Sequence, residues 1–378
     1  MAHITIDYTP AVHQRAGIGR LTRELTRALL ALPSPHQFKL FVMGGGEEAR
    51  RMAPVAVHAS PISDRWFHRL WFKANLPLPV QWFAGRCDLY HATDFVLPPT
   101  LPHTPTVLTV HDLSFERDPG SAVPTLLQFL RKVVPASACR ASHIVADSYA
   151  TAQDLTDLYG IAPAKFTTIH SGVHPRFQVA VASPDEPQHI RAKYQLGDAP
   201  YILAVGTMQP RKNHLGLVRA FAKLPERGGT RANLVISGGK GWLYDDVASE
   251  VRRLGLNDRV KFIGYADDAD LPGLYRAAAV FAFPSLYEGF GLPLLEAMAS
   301  GVPVITSNVS SLPEVVGDVG LLINPHDVDA LAAALDQALH NDVWRAQAIA
   351  AGLARAQQFT WQRAAQELLD VYTQTLEH

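Results

Sequence analysis

Two glutamates stand eight positions apart in PSLYEGFGLPLLEAMASGVPV, the stretch from Pro284 to Val304. Glu288 opens a loop in which Gly289 and Gly291 leave backbone amides free to bond sugar hydroxyls. Glu296 falls in the helix that follows, and we predict that it lies in the first turn. There its carboxylate could hold a ribose diol while Glu288 reaches the sugar end of the same ligand. The helix dipole alone also favours a carboxylate at this place, so a purely structural explanation stays open.

A basic pair follows an earlier strand, in VGTMQPRKNHLGLVRAF. Arg211 and Lys212 lie beyond the predicted strand end at Val205 and just before a helix capped near Asn213. A guanidinium fork and a flexible ammonium together would clamp a diphosphate. The alternative is a solvated basic pair, but the position after a strand favours a functional site.

Two glycines and a histidine follow strands in the first half of the chain. In HQRAGIGRLTREL, Gly17 and Gly19 allow the backbone to approach a phosphate, and the helix from about Arg20 would direct its N–H groups at it. A tight strand–helix turn would explain the same pattern. His111, at the end of TVLTVH, could donate a hydrogen bond to a phosphate or sugar hydroxyl. We interpret the next residue, Asp112, as a turn or cap residue.

A metal site is not predicted. Asp268 and Asp270 resemble the D-x-D metal motif of another class of sugar transferase, but LPGLYRAA follows them. We therefore interpret Asp270 as the N-cap of a helix opened by Leu271 and Pro272. The sequence has no His/Cys cluster with zinc spacing, no G-x-S-x-G and no P-loop.

The composition narrows the class of protein. The 378 residues suit two domains, and 48% hydrophobic with 18% charged residues excludes a disordered chain. A net charge of -1 gives no field that would attract nucleic acid. Two cysteines, Cys87 and Cys139, fit a reducing compartment. With no signal-like start and no apolar run of about 20 residues, we expect a soluble cytoplasmic protein.

Strand and helix patterns alternate along the chain, which predicts two doubly wound α/β domains with parallel sheets. The predicted strands are His3–Tyr8, Phe38–Met43, Asp88–His91, Thr106–Val110, His143–Ala146, Phe166–Ile169, Tyr201–Val205, Asn233–Ser237, Val260–Ile263, Val280–Phe283, Val302–Thr306 and Leu321–Ile323. We predict a first domain over residues 1–172, a linker with an entry helix over 173–196 and a second domain over 197–359. A final helix over 360–378 would pack back on the first domain. Ligands would bind at the carboxyl ends of the strands, in a central cleft that the domains face.

An aromatic and basic stretch, RWFHRLWFKANLPLPVQWF, runs from Arg65 to Phe83. It could lie on a membrane surface or meet a lipid-borne substrate through Trp66, Trp71 and Trp82. The alternative is a helix whose aromatic side chains fill the core of the first domain.

Taken together, AGIGR, VLTVHDLSF, VGTMQPRKN, FPSLYEGFGLPLLEAMASGVPV and SLPEVVGD resemble the motifs of retaining glycosyltransferases of family 4, which have the GT-B fold. The resemblance covers nearly the whole chain, and the E-x7-E segment is its most specific part. The family usually has a doubled glycine before G-I-G, where this chain has Ala16. The resemblance implies two Rossmann-like domains, transfer of a sugar from a nucleotide sugar with retention at the anomeric carbon, and no cofactor or divalent metal. Arg211 and Lys212 would take the place of the metal at the diphosphate, helped by the Gly19 amide.

The resemblance also gives roles to the remaining residues. Glu296 would bind the ribose, Glu288 the transferred hexose near its reacting centre, and His111 would lie beside the donor sugar. The sugar hydroxyls would meet the backbone amides of Gly289, Phe290, Gly291 and Leu292. The first domain would face the acceptor and the second would bind the nucleotide sugar.

The stretches HDLSF and HATDFVLPP are most similar to bacterial mannosyltransferases of lipopolysaccharide or exopolysaccharide synthesis. This favours GDP-mannose as donor and a glycan or lipid-linked glycan as acceptor, with UDP-, dTDP- or GDP-rhamnose-type donors as alternatives. The resemblance suggests that acceptor attack and departure of the diphosphate occur on the same face; Glu288 as nucleophile of a double displacement is the alternative. Rivals of other classes are a sugar-nucleotide epimerase, a pyridoxal-phosphate phosphorylase, for which no Schiff-base lysine is evident, and a non-catalytic sugar-nucleotide-binding scaffold.

Overall fold

The computed structural model describes residues 1–14, 17–45, 47, 50, 55, 57–121, 123–179, 183–224, 231–241 and 244–377. Ala16, the residue that replaces the family's usual glycine, lies outside the described residues. The chain divides into two compact units, Met1–Gly172 together with Thr360–His378, and Val173–Phe359. Each unit is built on one parallel sheet.

The sheet of the first unit has seven strands in the order β3-β2-β1-β4-β5-β6-β7. Its strands are β1 (His3–Asp7), β2 (Gln37–Met43), β3 (Val57–Ser60), β4 (Leu89–Ala92), β5 (Thr106–Val110), β6 (His143–Ala146) and β7 (Phe166–Thr168). The edge strand β3 was not predicted, because its four residues, VHAS, carry no continuous apolar run. The order reverses direction between β1 and β4, as in doubly wound folds.

The sheet of the second unit has six strands in the order β10-β9-β8-β11-β12-β13. They are β8 (Tyr201–Val205), β9 (Asn233–Ser237), β10 (Val260–Gly264), β11 (Val280–Phe283), β12 (Val304–Ser307) and β13 (Leu321–Ile323). Neighbouring residues of β8, such as Ile202 and Leu203, belong to separate core clusters. Both faces of this sheet are therefore covered, which explains why its strands are continuous apolar runs.

Helices cover the sheets of both units. In the first unit they are α1 (Thr9–His13), α2 (Ile18–Ala31), α3 (Asp64–His68), α4 (Gln81–Ala84), α5 (Ser114–Arg117), α6 (Pro124–Arg140) and α7 (Tyr149–Tyr159). In the second they are α8 (Glu186–Lys193), α9 (His214–Ala222), α10 (Tyr244–Arg253), α11 (Leu271–Arg276), α12 (Leu292–Ala299), α13 (Leu312–Val316), α14 (Val328–His340) and α15 (Asp342–Ala356). None of the helices that the structure describes has both the length and the apolar character needed to cross a bilayer.

The segment predicted to link the domains, residues 173–196, contributes to the second unit. Phe177, Ile190 and Leu196 are buried in its core. The final helix, α16 (Trp361–Glu377), instead belongs to the first unit. It packs against α2, and its Tyr372 hydroxyl lies 2.6 Å from Nδ1 of His91 in β4.

Gly172 lies where the chain of the first unit passes the start of α16. A Cβ atom at Gly172 would lie 2.2 Å from the backbone nitrogen of Trp361 and 2.5 Å from the carbonyl carbon of Thr360. Both neighbours are backbone atoms, so no side-chain rotation could relieve the overlap.

We predict that Gly172→Ala lowers the stability of the first unit by about 1–3 kcal/mol, because the added methyl overpacks a backbone contact. The matched control is Gly120→Ala in the same unit, where the Asp118 carboxylate, at 3.8 Å, is the nearest group among the described residues. Thermal unfolding of both variants checks this, and an equal Tm for Gly172→Ala and wild type would contradict it.

Candidate functional site

The basic pair and Glu288 follow neighbouring strands of the second sheet. Arg211 and Lys212 lie in a short 3-10 turn, Pro210–Lys212, after β8. Glu288 follows β11, which pairs with β8 in parallel. Because parallel neighbours end at the same edge of a sheet, the three side chains meet although 76 residues separate Lys212 from Glu288.

Both cations bind the same carboxylate. Nη1 of Arg211 donates to Oε2 of Glu288 at 2.7 Å, and Nζ of Lys212 donates to Oε1 at 2.5 Å. The side chains of Arg211, Lys212 and Glu288 are 24%, 13% and 8% exposed, so this is a largely desolvated ion triad. Lys212 also lies over the ring of Phe283, with Nζ 4.7 Å from its centroid.

The triad fixes the charge states around it. Burial opposes ionisation of Glu288, but the charges of Arg211 and Lys212 outweigh it and lower the pKa of this carboxyl from 4.5 to about 2. Burial, with the Lys212 charge, lowers the pKa of His214 to about 4, so this histidine is neutral at pH 7. The unit therefore presents two permanent cations and one permanent anion at this edge of the sheet.

Two serines that sequence reasoning missed hold the glycine loop. The amide of Glu288 donates to Oγ of Ser310 at 3.0 Å, and Oγ of Ser311 lies 2.9 and 2.8 Å from the carbonyls of Glu288 and Phe290. Both serines follow β12, the strand beside β11. Their position just before the Leu-Pro start of α13 is the signal that could have found them.

The loop ends in the predicted helix, α12. Gly291 has φ 118°, a left-handed conformation that favours glycine, and Leu292 is the first helical residue. The Leu292 amide is therefore among those without an acceptor inside the helix. The donor role predicted for the amides of Gly289, Phe290, Gly291 and Leu292 stays a prediction.

The prediction that Glu296 lies in the first turn of α12 is wrong. The helix starts at Leu292 with Pro293 second, so Glu296 is the fifth helical residue. It is 3% exposed, and its Oε2 accepts a hydrogen bond of 3.0 Å from the hydroxyl of Tyr275. The buried position is therefore stabilised by a hydrogen bond from α11 rather than by the helix dipole. The role of Tyr275 was missed, because in LPGLYRAA it has the pattern of an ordinary apolar helix position.

Asp270 occupies the N-cap position of α11, as predicted. Its side chain, however, makes no capping hydrogen bond to the helix. Its Oδ2 instead accepts from Nζ of Lys193 at 2.5 Å and from the hydroxyl of Tyr194 at 2.7 Å. The ion pair with α8 outcompetes the backbone amides for the carboxylate. Across the described residues, no group of three or more His, Cys, Asp or Glu side chains is arranged to hold a metal.

In the first unit, the two glycines after β1 differ in environment. Gly17 has φ 58°, and none of the described residues comes within 4 Å of the place of a Cβ. At Gly19 a Cβ would lie 1.9 Å from the carbonyl oxygen of Gln14, so the fold of the loop itself requires glycine there. Arg23 fixes the same carbonyl by donating from Nη1 at 2.9 Å. Phosphate binding by this loop stays a prediction.

His111 follows β5 and is buried, with 4% exposed. Its Nδ1 lies 2.8 Å from Oδ2 of Asp147 and its Nε2 lies 2.9 Å from the carbonyl oxygen of Thr93. Burial opposes protonation, but Asp147 outweighs it and the pKa of His111 rises to about 9. Asp147, which follows β6, was missed. The prediction of a turn at Asp112 is confirmed, since its Oδ1 accepts from the Ser114 amide at 2.8 Å.

The aromatic stretch Arg65–Phe83 divides between core and surface. Trp71 is 4% exposed, and its Nε1 donates to the carbonyl of Leu78 at 2.8 Å. It is a core residue, contrary to the prediction of lipid contact. Trp66 and Trp82 are 56% and 67% exposed.

We predict that Glu288→Gln lowers the free energy of unfolding at pH 7 by about 3 kcal/mol, because it breaks a buried ion pair. The carboxylate has a lowered pKa, so its contribution is complete above the ordinary pKa of 4.5 and is lost as pH falls toward 2. The gap between wild type and variant should therefore shrink below about pH 4.5. Denaturant unfolding between pH 3 and pH 7 measures it. Asp329→Asn, which removes the exposed partner of Lys223, is the control and should cost at most about 1 kcal/mol. A gap for Glu288→Gln that does not change with pH would contradict the prediction.

Known proteins similar to this chain include the O-antigen chain mannosyltransferase B of Escherichia coli, which is 35% identical over 96% of this chain and 97% of that protein. The serotype-specific mannosyltransferase WbdA of Escherichia coli is 32% identical over 79% of this chain, which spans 36% of that longer protein. Among solved structures, HepE of Anabaena in complex with UDP and glucose superposes with a TM-score of 0.77. That match has 20% identity and covers 99% of this chain and 100% of HepE, and it shows the fold.

Two family models match consecutive parts of the chain. The model described as Glycosyltransferase Family 4 matches residues 15–177, and the model described as Glycosyl transferases group 1 matches residues 186–372. Together with the relative that is similar over nearly its whole length, these matches show that the chain belongs to the glycosyltransferases of family 4, with the GT-B fold.

Proposed function

We propose that the protein is a retaining, metal-independent mannosyltransferase. It would move a mannosyl group from GDP-mannose to a glycan or lipid-linked glycan acceptor in the synthesis of a cell-surface polysaccharide. The observation that carries the proposal is the pairing of Arg211 and Lys212 at the edge of the second sheet, fixed on Glu288. The name of the full-length relative, O-antigen chain mannosyltransferase B, supports the sugar and the pathway class.

The basic pair suits the charge that develops in glycosyl transfer. Breaking the bond between the anomeric carbon and the phosphate oxygen leaves negative charge on the departing diphosphate. Arg211 and Lys212 are positioned before the reaction and partly desolvated, so they would stabilise this charge without reorganisation. Such preorganised groups contribute several kcal/mol to a transition state. In this proposal the two cations supply what a divalent metal supplies elsewhere.

The state of Glu288 supports same-face transfer over double displacement. Both of its carboxylate oxygens bind cations, and its pKa of about 2 makes it a weak base and a weak nucleophile. We propose that the acceptor oxygen bonds to the anomeric carbon on the face that the diphosphate leaves. The leaving phosphate oxygen takes the acceptor's proton, so configuration is retained without a covalent sugar–enzyme bond. Glu288 would orient the hexose and the two cations.

Other donors are alternatives to GDP-mannose. The structural neighbour HepE was solved with UDP and glucose, and UDP-, dTDP- or GDP-rhamnose-type donors would place the same diphosphate on Arg211 and Lys212. A sugar-nucleotide epimerase would convert its substrate without an acceptor, and a binding scaffold would release nothing. These classes are separated by whether nucleoside diphosphate appears only when acceptor is present.

We predict that the protein releases GDP from GDP-mannose only with a mannose-terminated oligosaccharide acceptor, and that the rate is unchanged in EDTA. Chromatography measures the released nucleotide, and NMR gives the anomeric configuration of the product. The same assay is run with UDP-glucose, dTDP-rhamnose and GDP-rhamnose as competing donors. Turnover that EDTA abolishes and manganese restores would overturn metal independence. A product of inverted configuration would overturn retention.

Two arginine variants test the diphosphate contact separately. Arg211→Ala should weaken GDP binding in calorimetry about tenfold or more, because a charge-assisted diphosphate contact is lost. Arg219→Ala is the control, since Arg219 pairs with Glu250 elsewhere in the second unit and its side chain is 53% exposed. Equal affinity of the two variants would contradict the clamp.

We also propose that the first unit contacts the inner face of a membrane. Phe129 of α6 contacts the rings of His68 in α3 and of Phe72 in the π-helical turn Arg69–Lys73, so these elements form one surface. These elements and the residues next to them in the chain carry exposed apolar side chains, which are Trp66, Leu76, Val123 and Leu126. The same elements carry exposed cations, which are Arg65, Arg69, Lys73 and Lys132. The exposed acid of α3 is Asp64. Aromatic groups with surrounding cations suit anionic lipid headgroups.

We predict that the wild type floats with vesicles of phosphatidylglycerol and phosphatidylcholine but not with phosphatidylcholine alone. The double variant Trp66→Ser, Leu126→Ser should lose most of this binding, because it removes an apolar anchor from each helix. The control is Val343→Ser in the second unit, where Val343 is 70% exposed. Undiminished flotation of the double variant would remove the membrane proposal and leave the transferase proposal intact.

A further inference from the structure

His111 is held from two sides by groups that accept hydrogen bonds. Oδ2 of Asp147 lies 2.8 Å from Nδ1, and the carbonyl oxygen of Thr93 lies 2.9 Å from Nε2. The Asp147 and His111 side chains are 8% and 5% exposed, so bulk water does not compete for these contacts. The ring of Phe95 closes a third side, with centroids 5.3 Å apart and an edge-on angle of 79°.

The two acceptors determine where the ring protons are. A carbonyl oxygen has no hydrogen to give, so Nε2 of His111 must carry one to make its contact with Thr93. An ionised carboxylate likewise only accepts, so Nδ1 must carry one as well. A ring with a proton on each nitrogen is an imidazolium cation, and this conclusion follows from the contacts when Asp147 is ionised. Burial raises the pKa of Asp147, and the charge of His111 opposes that rise.

We propose that Asp147 is a positioning residue of the transfer reaction, which holds the His111 ring in one orientation as a cation against the Thr93 carbonyl. The proposal rests on the proposed function and on the role beside the donor sugar that the family resemblance implies for His111. The residue after Asp147 is also bonded, because Ser148 caps α7 by accepting from the Thr151 amide at 3.0 Å. The Thr151 hydroxyl in turn donates to the carbonyl of His111 at 3.2 Å, which ties the two strand ends together.

The surrounding charges agree with a cationic ring. Asp94 and Asp147 both raise the pKa of His111, against burial, which lowers it, and the result is about 9. The Asp94 carboxylate accepts from Nε2 of Gln14 at 2.9 Å, whereas Asp147 is the carboxylate in contact with Nδ1 of His111. On the neighbouring strand, burial lowers the pKa of His91 to about 3, so it adds no positive charge at pH 7. Asp112, the residue after His111, is turned to the Ser114 amide.

The arrangement makes His111 a fixed charge rather than a proton shuttle. Both N–H groups are used within the first unit, and a pKa of about 9 keeps the ring charged through the neutral range. The ring therefore loses its charge only as pH rises through about 9, and the stability that the ion pair contributes is complete below the ordinary value of 6.5. A general acid or base would instead titrate near the working pH.

The test compares Asp147→Asn with wild type in two measurements. The first is the NMR titration of the His111 ring in the protein without substrate, where the ring nitrogens of wild type should both be protonated at pH 7. In Asp147→Asn the midpoint should fall by about 1–3 units, because an opposite charge in direct contact is removed. The second is the pH profile of kcat/KM, which should stay level to about pH 8.5 in wild type. In the variant it should fall about tenfold per unit above the new midpoint.

Asp154→Asn is the matched control, since Asp154 is a buried aspartate of α7 paired with Arg117, whose Nε donates at 2.8 Å. It should leave both the His111 titration and the shape of the pH profile unchanged. An unshifted His111 midpoint in Asp147→Asn, or an equal loss of rate at every pH, would overturn the proposal. If Asp147→Asn does not fold, a neutral His111 ring in wild type at pH 7 would by itself overturn the proposal.

Failure of the wild type to transfer any hexose would instead count against the proposed function. The titration without substrate would still decide the role of Asp147.

Discussion

One carboxylate that binds two cations organises the site of the second unit. Removing three charges from water is costly, and only close pairing offsets that cost. Glu288 achieves the pairing because β8 and β11 are parallel neighbours, so the turn after one and the loop after the other meet at the same edge. Without Glu288, Arg211 and Lys212 would repel each other at the same place. The anion therefore keeps the two cations together at this edge.

The first unit repeats this solution with other residues. His111 follows β5 and Asp147 follows β6, again parallel neighbours, and the pair is buried at the carboxyl edge of its sheet. In both units the candidate groups follow core strands closely in sequence. Their positions therefore depend on the register of neighbouring parallel strands.

The sequence predicted most of the strands and the candidate residues because both depend on local patterns. Buried parallel strands are apolar runs, and chemistry at their carboxyl ends can be found from the residues that follow. What could not be predicted depends on partners distant in sequence. The hydrogen bond from Tyr275 to Glu296, the serine contacts of the glycine loop and the Asp147 partner of His111 join residues 21 to 36 positions apart. The N-cap position predicted for Asp270 is confirmed, but its carboxylate binds Lys193 of α8 instead of the helix amides, again a partner distant in sequence.

The helix α16 carries one more consequence. It packs on the first unit, where Tyr372 reaches His91 in the middle of the sheet and Gly172 has no room beside Trp361 for even one carbon atom. Its residues are nevertheless made after all of Val173–Phe359. On the ribosome, the second unit can therefore complete its folding before the first. The first unit emerges earlier, but it cannot complete its packing until translation has passed α16.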